Sequence, residues 1–584
     1  MPLIGTAGHV DHGKSTLIER ITGRDPDRWR EEKERGLTID LGFAWANLPG
    51  GVEVSFVDVP GHERFLKNML AGVEAIDVAL FVVAADEGWM PQSEEHLAVL
   101  DLLGVERGVV ALTKIDLVGP DLADLAREEI REHLMGTTLQ GAEVVPVSAV
   151  TGTGIDDLLM SLEVLIPTDP ADNYRPRLWI DRSFSVAGAG TVVTGSLLDG
   201  SLSVEDSVEI YPTGNRARVR SLESHERSHP TLTPGRRVAV NLGGIDHDKV
   251  TRGHMLGLEG QWDLTRRFSA TVRGVRGLAP PERRGDYQLH IGSGAVPVEI
   301  LGLDDEVAVF RTETPLPLAV GDRFILRDTG RRRVIGGGQV LDPGPGRVGR
   351  ALKAAREIDP SARPDDIATA LIAGRRIDRV ERIRAHSKGG TPQDAVIIGE
   401  QVISEPWLDT LAEEAVSLVE EEHRRHPLRP GLNMATLAER LGVDGDVAEA
   451  VVGRADRLVR SGPDVSLSDH RTGLSEEQEQ QWARAVERLS RGLDVPSDTE
   501  LGIDPEVLHL KLRSGELVRV GPGLVYLPEQ IEELKKVMAG LGEEFTVAQF
   551  RDAAGLSRKY AVPILEWSDK EGLTVRRGDL RRLR

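Results

Sequence analysis

The chain has 584 residues, 40% hydrophobic and 28% charged, a length that implies several domains rather than one core. It contains no cysteine, which excludes disulfides, thiolate chemistry and Cys-ligated zinc, and its formal net charge of -22 argues against unselective coating of nucleic acid. No apolar run approaches the ~20 residues that cross a bilayer and no signal peptide precedes the first motif, so no membrane partner and a cytoplasmic location are expected.

The first ~165 residues alternate short apolar runs with helical patterns, as a parallel α/β domain does. Val52–Val57, Ala79–Ala84, Val109–Leu112 and Val144–Val147 have the near-continuous apolar texture of strands buried on both faces. Gly8-His9-Val10-Asp11-His12-Gly13-Lys14-Ser15 matches G-x-x-x-x-G-K-[ST] between the first strand and a helix beginning near Thr16. Its backbone N–H groups and the helix N-terminus suit phosphates. Lys14 is expected on the β- and γ-phosphates and Ser15 on Mg²⁺. Asp58, in Asp58-Val-Pro-Gly61-His62, arrives at the ligand-binding edge of the sheet, placed to hold Mg²⁺ through water, and the Gly61 N–H can sense a γ-phosphate. Thr38, in a charged segment without periodicity, suits a loop ordered by γ-phosphate and Mg²⁺. Thr113-Lys114-Ile115-Asp116 and Ser148-Ala149 close two further strands. Asp116 can accept from the guanine N1–H and amine, and the loop at Ser148 and Ala149 can donate to O6. GTP is therefore the expected nucleotide and GTP hydrolysis the expected reaction.

These motifs, with Arg35-Gly-Leu37-Thr38-Ile-Asp40, resemble the translational GTPases of the elongation factor Tu type. The resemblance assigns His62 to orienting the attacking water on the ribosome, with Val10 and Leu37 as an apolar gate before it. Thr113 replaces the family's usual Asn, removing an amide that braces the loop. Hydrolysis is expected to be slow until a partner completes the site, because phosphoryl transfer rests on positioning and charge stabilisation.

Past Pro170 the texture changes to short alternating strands rich in Gly and Pro, suggesting antiparallel barrels, and past Gly346 to amphipathic helices. The expected domains are a GTP-binding domain at 1–170, β-barrels at 171–262 and 263–345, and four units at 346–402, 403–470, 471–527 and 528–584. In these units weakly repeated helix-turn-helix and hairpin patterns suggest winged helices, a plain helical bundle being the alternative. The fold class is thus a multidomain chain: an α/β P-loop domain, two antiparallel β-barrels and a mostly helical C-terminal array.

The combination resembles, within that family, the bacterial selenocysteine-specific elongation factors, which carry selenocysteinyl-tRNA to recoded UGA codons and bind an mRNA hairpin through their last winged helices. The resemblance implies selenocysteinyl-tRNA, the mRNA hairpin and the ribosome as partners, a monomeric state, and an aminoacyl pocket of Asp181, Arg182 and Arg237. Adjacent Arg236 competes with Arg237 for that place, and a simple Asp-Arg ion pair is the plainer reading. From Arg551 to Arg584 nine Lys/Arg face five Asp/Glu, a difference of +4 in an acidic chain. Arg551, Arg558, Lys559, Arg576, Arg577, Arg581 and Arg582 are the expected RNA contacts, since a hairpin is read through shape, phosphates and loop bases. A general aminoacyl-tRNA carrier, another elongation-factor-Tu-like GTPase such as a sulfate-activating subunit, and a GTP-switched regulator of nucleic acid remain the competing readings.

Overall fold

The computed structural model describes residues 2–25, 41–59, 76–167, 175–188, 190–471 and 473–584. Its contacts divide it into two compact units, Met1–Ser404 and Glu405–Arg584. No helix among the described residues is long and apolar enough to cross a membrane.

The first domain is a six-stranded sheet built from β1 (Leu3–Ala7), β2 (Gly42–Asn47), β3 (Glu53–Asp58), β4 (Val78–Ala84), β5 (Gly108–Thr113) and β6 (Glu143–Pro146), in the order β2-β3-β1-β4-β5-β6. All pairings are parallel except β2 with β3. Helices α1 (Lys14–Thr22), α2 (Pro91–Leu102), α3 (Pro120–Leu134) and α4 (Ile155–Leu165) complete it. The apolar run in β4 is continuous because both faces are covered. Val78, Leu80 and Val82 join a core with Leu17, Leu158 and Leu162, while Ala79, Phe81 and Val83 join another with Leu97, Leu100 and Ile130. This stacking brings the ends of β1, β3, β5 and β6 to one edge, where open α/β sheets bind ligands.

Two closed antiparallel barrels follow. The first closes by pairing Ser207–Tyr211 with Asn215–Ser224, and the second by pairing Thr265–Thr271 with Arg333–Asp342. Next come helices Val348–Ala355, Pro364–Arg375 and Val380–His386, with a three-stranded sheet of 377–379, 395–398 and 401–404. This helix-and-hairpin unit shares a core with the second barrel, in which Val307, Val320 and Leu341 meet Ile358, Ile367, Leu371 and Ile383.

The second compact unit repeats the same layout. Helices Glu405–Arg425, Met434–Leu441 and Gly445–Arg454 precede the hairpin 458–461/464–467; Glu476–Leu489 and Pro505–Arg513 precede 518–521/524–526; and Pro528–Gly540, Val547–Ala553 and Arg558–Lys570 precede 574–577/580–583. The last two repeats share one core, with Leu517, Val520, Val525 and Tyr526 packed among Phe550, Ile564 and Leu565. The array is one of winged helices, not a plain bundle.

Candidate functional site

The phosphate loop needs its glycines for stated reasons. Gly8 has φ 129° and a Cβ there would lie 2.1 Å from the Val82 carbonyl, so β4 excludes any side chain. Gly13, at φ 87°, turns the chain into α1. Lys14 is buried, and its Nζ donates to the loop's own Gly8 and His9 carbonyls at 3.0 and 2.6 Å. Burial lowers its pKa to about 8, against the raising influence of Asp58 and Asp11. The Ser15 hydroxyl donates to Asp58 Oδ2 at 2.6 Å, and Thr6 donates to Oδ1 at 2.8 Å, fixing a carboxylate that is fully buried. Hard oxygen donors beside the phosphate loop fit Mg²⁺, which keeps waters while bridging carboxylate and phosphate.

Residues distant in sequence hold this loop. The Gly8 N–H donates to His96 Nδ1 at 3.0 Å and the Val10 N–H to Gln92 Oε1 at 2.9 Å, both from α2. Burial, with Lys14 and His9 nearby, lowers the His96 pKa to about 3, so the ring stays neutral and accepts. His12 is also buried, its pKa lowered to about 4 chiefly by that burial, and its Nδ1 lies 3.3 Å from the Val82 carbonyl. His9 is shifted the same way, by burial first and Lys14 next.

At the other end of the groove, the Thr113 hydroxyl donates to the His12 carbonyl at 2.7 Å. The expected loss of a brace is thereby corrected: a hydroxyl ties this strand end to the phosphate loop without an amide. Lys114 adopts φ 57°, and its Nζ reaches Glu87 at 2.9 Å. Asp116, in a single 3₁₀ turn, is exposed. Ser148 is buried and turns the next loop, accepting from the Thr151 N–H through its hydroxyl and from the Gly152 N–H through its carbonyl. Ala149 follows it, partly buried. Asp11 and Thr16 are exposed at the same edge. Leu37, Thr38, Gly61 and His62 lie outside the described residues.

In the first barrel a β-bulge between Ile180 and Arg182 leaves Asp181 as the extra residue. Asp181 accepts two bonds from Arg237, at 2.5 and 3.1 Å, and one from Thr194 at 2.6 Å. The Arg237 guanidinium lies 3.6 Å from the Phe43 ring centroid, and Arg182 donates to the Leu41 carbonyl at 2.8 Å. Both arginines therefore abut β2 and the residue before it. Arg236 points elsewhere, donating to Thr233 at 2.7 Å, so Arg237 is the residue beside Asp181.

The last winged helix sorts its cations. Arg558, Lys559, Arg576 and Arg577 are exposed and make no carboxylate ion pair among the described residues. Arg551 bonds Asp552, and exposed Arg582 lies 3.6 Å from Glu543. Arg581 is corrected out of the RNA-facing set. It is buried, and its Nε donates to Asp569 at 3.0 Å, while Asp569 also accepts from Thr574. Its strand directs it under the wing onto helix Arg558–Lys570.

Models of the "Elongation factor Tu GTP binding domain" and "Elongation factor Tu domain 2" match residues 1–168 and 190–257. "Selenocysteine-specific elongation factor, beta-barrel domain" matches 283–347, and "Elongation factor SelB, winged helix" matches 536–583. The selenocysteine-specific elongation factors of Desulfomicrobium baculatum and Escherichia coli are 34% and 33% identical, covering 100% and 99% of this chain and 100% and 98% of those proteins. Translation initiation factor 2 subunit gamma of Thermococcus kodakarensis is 34% identical but covers only 58% of this chain, for 97% of its own length. A crystal structure of a bacterial selenocysteine-specific elongation factor superposes with TM-score 0.70 and 28% identity over 100% of both chains. That of translation elongation factor SelB from Methanococcus maripaludis with the GTP analogue GppNHp gives 0.52 and 25%, over 59% of this chain and 79% of that one. The chain belongs to the selenocysteine-specific elongation factors, GTP-hydrolysing translation factors of the elongation factor Tu type.

Proposed function

We propose that the chain, acting as a monomer in the cytoplasm, carries selenocysteinyl-tRNA to the ribosome at UGA codons marked by an mRNA hairpin. Lys14, Ser15, Thr38 and Asp58 hold the phosphates and Mg²⁺, Gly61 senses the γ-phosphate, Asp116 selects guanine, and His62 orients water behind the gate of Val10 and Leu37. Exposed Arg558, Lys559, Arg576 and Arg577 take the hairpin.

The observation that carries this reading is the bulge that sets Asp181 and Arg182 beside Arg237, against the strand leaving the Thr38 segment. A selenol ionises more readily than a thiol or hydroxyl, so selenocysteine presents an anion at neutral pH. Two guanidiniums beside the single carboxylate of Asp181 leave the group with an excess of positive charge, which favours the anion over neutral serine.

A reconstituted translation reaction tests the reading. UGA decoding is expected only with the hairpin in the message, selenocysteinyl-tRNA and GTP together. Equal decoding with an unrelated aminoacyl-tRNA and no hairpin would leave only a general carrier.

A further inference from the structure

A cleft of about 620 Å³ lies where the linker between the barrels meets the first winged helix. On one wall Arg175 stacks on Trp262, with 4.2 Å from guanidinium to ring centroid, and donates to the carbonyls of Gln261 and Ala385. Arg379 and Arg384 also line the cleft, both exposed.

Among the described residues no carboxylate pairs with any of these three arginines. The nearby acids are engaged elsewhere. Arg177 bonds Asp199 and Asp322 at 2.8 and 2.7 Å. Asp263 is held by Arg382 and His386 at 2.8 and 3.2 Å, and Asp378 by buried Arg375 at 2.7 Å. Glu381 is the one remaining acid of the lining. Burial and neighbouring Arg177 lower the Arg175 pKa to about 10, against the weaker raising influence of Asp199 and Asp322, which leaves it charged at neutral pH. A partly buried cation held by neutral carbonyls and sharing one cleft with two more cations is arranged for an anion that comes from outside the chain.

We propose that Arg175, Arg379 and Arg384 form a phosphate-backbone site for the RNA whose aminoacyl end occupies the Asp181–Arg182–Arg237 pocket. Arg177–Val186 runs as one strand from the cleft to that pocket. Six residues of extended chain separate Arg175 from Asp181, about 20 Å at ~3.3 Å per residue. One RNA stem covers that distance, so aminoacyl group and backbone can be held at once. The cleft belongs to the unit of the barrels and the GTP-binding domain, whereas the last winged helix belongs to the other. The strand that joins cleft and pocket favours the carried tRNA over the mRNA hairpin as occupant. The inference rests on the proposed tRNA-carrying function and extends it to the first winged helix.

The test uses the full chain with a non-hydrolysable GTP analogue and the variant Arg379→Ala/Arg384→Ala, both residues being exposed and without a carboxylate partner among the described residues. Affinity for selenocysteinyl-tRNA and seryl-tRNA on the same tRNA body should fall together by roughly tenfold, with the salt slope reduced by about 2, while affinities for the hairpin and the GTP analogue stay unchanged. Unchanged tRNA affinity and slope overturn the proposal, as does a loss confined to the hairpin. A wild-type chain that does not distinguish the two aminoacyl groups would count against the pocket, and the salt slope would still report on the cleft.

Discussion

The phosphate loop and the last winged helix, both proposed to meet phosphates, are built in opposite ways. Around Gly8–Ser15 one cation, Lys14, is buried and the donors are backbone groups fixed by Gln92, His96 and Thr113. On the last winged helix the cations are exposed side chains on a small framework, and the buried one, Arg581, serves the framework itself. A site that must read one nucleotide and its charge state invests in rigidity, whereas a surface that meets a hairpin backbone can rely on long, solvated arms.

Arg581→Ala breaks this comparison most strongly. Removing one partner of a buried pair that braces the wing should cost about 2–3 kcal/mol locally. Hydrogen exchange of the 574–583 hairpin in the full chain should then accelerate roughly 100-fold, with hairpin affinity falling as the wing opens. Arg577→Ala should leave exchange unchanged and reduce only the affinity and its salt slope. Equal exchange in the two variants would place Arg581 among the RNA contacts after all.

A smaller effect comes from Lys14. Its pKa, about 8 without nucleotide, lies below the value a phosphate partner enforces, so binding takes up a proton once the pH exceeds 8. GTP affinity should be flat up to pH 8 and weaken toward tenfold over the next unit, whereas hairpin affinity, resting on three arginines and Lys559, stays level from pH 8 to 9. A GTP affinity independent of pH from 8 to 9 would mean that Lys14 is not the phosphate-facing cation.

The two regions also differ in how far the sequence discloses them. Motifs at strand ends were legible because contiguous residues do the work: Gly8 to Ser15, Asp58, Thr113 to Asp116 and Ser148 all reach one edge of the sheet. The strand runs expected in the first domain match β3 to β6 to within one residue. The α1 helix begins at Lys14, two residues earlier than expected, because positive φ at Gly13 starts it there. Gln92 and His96 carried no signal, being side chains 82 and 88 residues from the backbone they hold. In sequence Thr113 reads as a lost amide, whereas in the fold its hydroxyl reaches the His12 carbonyl. Strand alternation separates Arg236 from Arg237, but only the bulge at Asp181 shows which one faces the carboxylate. In the last winged helix charge composition was visible, yet a two-residue period along 580–583 puts Arg581 inside and Arg582 outside. Adjacent arginines thereby acquire opposite roles.

The account stands on charge-based choice of the aminoacyl group, and its most direct test is the affinity of the full chain, with a GTP analogue, for one tRNA charged with selenocysteine or with serine. The wild type should prefer selenocysteine by about 10²-fold or more. Arg182→Ala/Arg237→Ala should bring the two affinities to within a few-fold while GTP and hairpin binding persist. A preference that survives the double substitution would contradict the account.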